Sequence, residues 1–72
     1  MIGVESRHPE DWLERAYRDL TRVRVLLGVG DSEGAGFHLQ QALEKALKAF
    51  LLDQGILPRR THDLVVLLNE AV

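Results

Sequence analysis

The sequence predicts an all-α protein, an antiparallel up-and-down helical bundle. Three observations predict it: two long stretches carry apolar residues every three to four positions, both open on a helix-start signal, and both run into glycine. With 72 residues there is room for one domain. A chain of that length buries only about 60% of the surface it exposes when unfolded, so its stability margin is thin.

The first helix is expected at 9–28. Pro9 suits the first helical position, where its missing N–H costs nothing, and Glu10 and Asp11 lie in the first turn, where the helix dipole favours anions. At 100° per residue, Trp12, Leu13, Ala16, Tyr17, Leu20, Val23 and Leu27 form one broad stripe, the expected core face. The stretch GVGDSEG breaks the pattern, with Gly28 or Gly30 able to take the left-handed cap conformation.

The second helix is expected at 33–54, with Ser32 or Asp31 as N-cap and Gly55 as the stop. Gly34 and Gly36 weaken its first turn. Its expected core stripe is Ala35, Leu39, Ala42, Leu43, Ala46, Leu47, Phe50 and Leu51, in which alanines allow a neighbouring helix to approach closely. The short glycine-bearing link implies an antiparallel hairpin.

In ILPRRT, Pro58 biases Leu57 to an extended conformation and Thr61 can cap a third helix at 62–72, with Leu64, Leu67, Leu68 and Ala71 at helical spacing. Three helices, the last of about three turns, make a poor core. The expectation is therefore a single, incomplete domain over 1–72, the first part of a longer bundle that is either truncated or completed by another chain.

Composition narrows the function classes. There is no cysteine to staple the chain or ligate a metal as thiolate, which leaves oligomerisation as the common remedy for a small core. No apolar run approaches the roughly 18 residues that span a bilayer, and MIGVESRHPEDW lacks the layout of a signal peptide. A soluble cytoplasmic protein is expected. A formal charge of -2 argues against a globally basic nucleic-acid binder. Seven of the nine cationic residues are arginine, which either favours bidentate contact with carboxylate and phosphate or reflects a GC-rich genome.

Three groups of residues carry candidate chemistry. His38, Gln41 and Lys45 stand at i, i+3 and i+7 on the second helix, about 140 to 160° from its expected core stripe, with Phe37 and Leu52 beside them. They read either as a second contact surface able to meet a phosphate or carboxylate, or as a wet face. Arg15, Arg18 and Arg22 form a basic row, but acidic neighbours at Asp11, Glu14 and Asp19 make a self-paired solvated face the better reading. Arg59, Arg60 and His62 lie beside a helix N-terminus and could bind phosphate, while His62 could equally be part of a cap. His8, His38 and His62 are too far apart to suggest a metal set, and neither a catalytic group nor a cofactor is predicted.

Taken together, DWLERAYRDLTRVRVLL, GAGFHLQQALEKALKAFLLDQGI and THDLVVLL resemble the HEPN domain, over about residues 11–69, with FHLQQALEKALKA and the following THDL the most specific part. The resemblance implies a bundle of four or five helices that pairs into a homodimer, often beside a minimal nucleotidyltransferase in a toxin and antitoxin arrangement. Many members are metal-independent ribonucleases with an arginine, four to six residues, then a histidine; others are linked to nucleotide binding. Arg59 and Arg60 stand too close to His62 for that motif, and no arginine lies five to seven positions before His38 or His62. The resemblance thus implies a dimeric helical module, and ribonuclease activity carries over to no residue here; the alternatives are a metal-independent ribonuclease toxin whose motif lies in a missing C-terminal part, and an inactive remnant of a bundle. It also implies that the polar residues of the second helix serve contacts between helices or subunits.

Overall fold

The computed structural model describes residues 6–58 and 64–71. Its helices are α1 (Pro9–Gly28), α2 (Ser32–Asp53) and α3 (Leu64–Ala71). Among the described residues α1 packs along α2, and α3 touches α2 alone. The expected all-α class is what the chain adopts. The expected third helix begins on residues outside the described ones, as do Thr61 and its cap.

Local chemistry accounts for the helix ends. Pro9 opens α1 with Glu10 and Asp11 in its first turn. At the other end, Asp31 N–H donates to the Leu26 carbonyl at 2.8 Å and Gly30 N–H to that of Leu27 at 3.1 Å. This double closure needs a left-handed residue, and Gly30 supplies it with φ 81°. Asp31 then caps α2, its Oδ1 accepting from Gly34 N–H at 2.9 Å. The end of α2 repeats the device: Ile56 N–H bonds the Leu51 carbonyl at 2.8 Å and Gly55 N–H that of Leu52 at 3.0 Å, with Gly55 at φ 79°.

The seam between α1 and α2 is where the structure departs from expectation. On α1 it runs Trp12, Ala16, Asp19, Val23 and Leu26, a four-three alternation; on α2 it runs Ala35, His38, Ala42, Lys45 and Ala49. Trp12, Ala16, Asp19, Ala35, Ala42 and Ala49 are buried. Leu13, Tyr17, Leu20 and Leu27 of the expected α1 core are exposed, as are Leu39, Leu43, Ala46 and Phe50 of the expected α2 core. The physical reason is that α2 has two competing stripes. The richer in leucine and phenylalanine wins on hydrophobicity, yet the hairpin closes on the stripe whose alanines admit a neighbour and whose His38 and Lys45 find an acid. Ala35 and Ala42 lie where the two stripes overlap.

Leu51 points away from α1 yet has no exposed surface, and neither has Leu67 of α3, the other described helix packed on α2. That second, smaller contact covers one side of the hairpin. Among the described residues nothing packs on the opposite side.

Candidate functional site

Asp19 is the hub of the site. It sits in phase with Trp12 and Ala16 on the buried face of α1, and its side chain is only 2% exposed. A carboxylate removed from water at that level needs partners, and three cationic or donor side chains converge on it. Lys45 Nζ donates to Oδ2 at 2.5 Å, and His38 Nδ1 lies 2.9 Å from Oδ1. Arg22 approaches Oδ1 at 3.3 Å from the next turn of α1. His38 and Lys45 are seven residues apart, two turns of α2, so a single carboxylate is gripped from above and below.

Protonation states follow from these contacts. Burial pushes the Asp19 carboxyl up, but the hydrogen bonds from Lys45, His38 and Arg22 and the Lys45 charge outweigh it, leaving the group below its ordinary value. It is therefore ionised at neutral pH. A carboxylate can only accept, so His38 donates through Nδ1, which leaves Nε2 for other contacts. The one negative charge of Asp19 meets the two fixed positive charges of Lys45 and Arg22.

This arrangement corrects the sequence-based placement of His38 and Lys45. They face α1, not the far side of α2, and Gln41 is half-buried beside them. Phe37 does stay exposed, its ring edge-on to His38 at 5.2 Å between centroids. Leu52 is half-buried. Arg59, Arg60 and His62 lie outside the described residues. The basic row of α1 is tied down in three different ways: Arg18 pairs with Glu14 at 2.8 Å, Arg22 joins Asp19, and Arg15 stacks 4.7 Å from the Trp12 ring centroid.

A second polar group escaped sequence reasoning altogether. Glu44 and Lys48 are buried, with Lys48 Nζ 3.4 Å from Glu44 Oε2 and 4.8 Å from the centroid of Trp12. Trp12 thus contacts two cations through its ring, while its indole N–H donates to the Ser6 carbonyl at 2.9 Å. The signal that could have found the first group was Asp19 itself. It is an acid in register with the α1 apolar stripe, opposite a basic column on a helix known from the link to be antiparallel.

Two hollows flank the seam. One, of about 260 Å³, is lined by Thr21, Arg22, Val25, Leu26 and His38. The other, of about 320 Å³, lies on the open side and is lined by Pro9, Leu13, Ala46, Ala49, Phe50 and Asp53. Among the described residues no cluster of histidine and acid side chains could hold a metal ion. No helix among them is long and apolar enough to cross a membrane.

Comparison with known proteins gives the family. No solved structure matches the chain. A protein of the archaeon Methanocaldococcus jannaschii, named a "putative toxin", is 36% identical over 58 residues, which are 81% of this chain and 38% of that protein. The chain thus spans well under half the length of that relative. The family model of the HEPN domain matches residues 9–72, so both long helices and their shared Asp19 cluster fall inside the match. With nearly the whole chain covered, the protein belongs to the HEPN domain family.

Proposed function

We propose that this chain is a dimeric helical module of a toxin and antitoxin type of system, paired with a minimal nucleotidyltransferase and acting on RNA or nucleotides in the cytoplasm. Family membership and the toxin name of the archaeal relative support the system. The observation that carries the dimer is the open apolar face: Leu13, Tyr17 and Leu20 of α1 and Leu39, Leu43 and Phe50 of α2 are all exposed. Their helical phase places them on one side of the hairpin, and Leu13 and Phe50 line a common hollow. A contiguous apolar surface of this kind is a protein contact site on an otherwise charged molecule. The contact surface expected around His38 moves accordingly, since His38 and Lys45 are engaged within the hairpin.

The ribonuclease reading has one observation on its side, the name of the archaeal relative. It requires an arginine and histidine at the family spacing, which these 72 residues do not contain. We therefore infer a binding role for the chain as it stands. Sedimentation of the 72-residue chain beside Leu43→Glu and Phe50→Glu tests the dimer, with far-UV circular dichroism to follow helix content. A dimer that both variants turn into a helical monomer is expected. A monomeric wild type, or variants that still dimerise, would overturn the interface. RNA cleavage by the chain alone would overturn the non-catalytic reading, and co-purification with the nucleotidyltransferase encoded beside it tests the pairing.

A further inference from the structure

We propose that the cavity beside the Asp19 cluster binds a small organic carboxylate with an apolar body. The inference is independent of the dimer and of the nucleotidyltransferase pairing. Its first support is charge. Asp19 is shared by Lys45 and Arg22, so one positive charge is left over, and it resides where water and ligands reach it: the Arg22 side chain is 56% exposed against 2% for Asp19.

The second support is the donor geometry. Arg22 uses one terminal nitrogen toward Asp19 and keeps the rest of its planar fork, the shape that receives a carboxylate through two parallel bonds. His38 is held by Asp19 through Nδ1 and also lines the cavity, so its ring is fixed where a ligand would meet it. Among the described residues no acidic side chain lines the cavity to oppose an anion. Asp31, near the same end of the hairpin, is engaged in capping α2 through Gly34 N–H. The Thr21 hydroxyl donates to the Tyr17 carbonyl at 3.1 Å, so Arg22 is the principal donor to the anion.

Size and surface then choose among anions. Val25 and Leu26 give the cavity an apolar wall, which an inorganic ion would not use. Its volume, about 260 Å³, is at the small end of ligand sites. An aromatic or branched aliphatic acid fills it, whereas a nucleotide would leave much of its base, sugar or phosphate outside. One surplus positive charge also matches a carboxylate better than a phosphate monoester, which carries roughly -1.5 to -2 at neutral pH.

The test is an NMR titration of the 72-residue chain with benzoate, with acetate, inorganic phosphate and phenyl phosphate as competitors in class. Benzoate is expected to shift the Val25 and Leu26 methyls and the His38 ring saturably, at lower concentration than the other three. Arg22→Gln, on an exposed side chain, is expected to weaken benzoate by about tenfold or more, the loss of a charge-assisted contact, with helix content unchanged. Arg22→Lys should recover part of the affinity, since it restores charge without the fork. Equal binding by Arg22→Gln, or shifts scattered away from the cavity, would overturn the site. Tighter binding of phenyl phosphate would overturn the ligand class, and acetate binding as tightly as benzoate would overturn the apolar subsite.

Discussion

The seam between α1 and α2 and the open face beside it distribute their residues in opposite senses. The seam buries alanines and an aspartate held by a lysine, a histidine and an arginine, whereas the open face displays leucines, a tyrosine and a phenylalanine. Apolar area is what drives association, at about 25 cal/mol per Å² removed from water, so the face with most to gain from a partner is the one left uncovered. The seam contributes something else. Alanines bring the two backbones close, and the cluster admits one axial register, because sliding α2 by one turn, about 5.4 Å, would carry both His38 and Lys45 off Asp19. One region sets which way the hairpin closes, and the other holds the area that stabilises an assembly.

The sharpest way to break this contrast is to remove the hub. Asp19→Ala leaves Lys45, His38 and Arg22 crowded together without their acid. Taking one partner from a buried ion pair costs up to about 3–5 kcal/mol, a large part of the stability of a domain of this size. Urea denaturation followed by circular dichroism is expected to show that loss. By contrast Leu43→Glu, on an exposed position, should change the stability of the monomer by less than about 0.5 kcal/mol while abolishing association. If the two variants exchanged these effects, the roles assigned to seam and face would be reversed.

A milder probe of the same hub is pH. The Asp19 carboxyl is held below its ordinary value in the folded chain, so it binds protons less readily folded than unfolded. Its contribution is fully present above the unfolded value, about 3.9, and is lost as pH falls through the lower folded value. The melting temperature of wild type should therefore exceed that of Asp19→Asn by a constant margin from pH 7 to about pH 5. The margin should shrink below about pH 4. A margin that shrank instead well above pH 5 would show that the Asp19 carboxyl is not the controlling group.

Much of this fold was legible in the residues, and the part that was not has a definite cause. Pro9, Asp31, Gly30 and Gly55 punctuate the helices through backbone geometry that depends on each residue alone, so the ends of the two long helices could be read directly. Which face of α2 meets α1 depends on a partner nineteen residues away in the chain for His38 and twenty-six for Lys45. Periodicity ranks faces by hydrophobicity, and on that scale Leu39, Leu43 and Phe50 outrank His38, Lys45 and Ala49. It has no means of seeing that Asp19, in phase with Trp12 and Ala16, would compensate His38 and Lys45 inside the hairpin. Spacing therefore marks His38 and Lys45 as unusual for a wet face but places them on the side of α2 away from α1, whereas both face Asp19. Glu44 and Lys48 read as an ordinary pair four residues apart, because their burial depends on neighbours beyond α2.

The smallest effect separates the two sides of α2 at its first turns. Gly36 lies toward the open side, and a Cβ added there would meet nothing within 4 Å. Gly36→Ala should stabilise the hairpin by up to about 1 kcal/mol, the helix propensity gained over glycine. Gly34 lies toward the seam, where a Cβ would press on the Asp31 carboxylate and approach Leu26 Cδ1 at 3.1 Å. That carboxylate caps α2 through Gly34 N–H, and a displaced cap costs about 1 kcal/mol, so Gly34→Ala forfeits what propensity offers. Urea midpoints measured on monomeric protein should place Gly36→Ala above wild type and Gly34→Ala at or below it. Equal gains for both would mean that Asp31 moves aside freely and that the seam relaxes at this end as readily as the open face does.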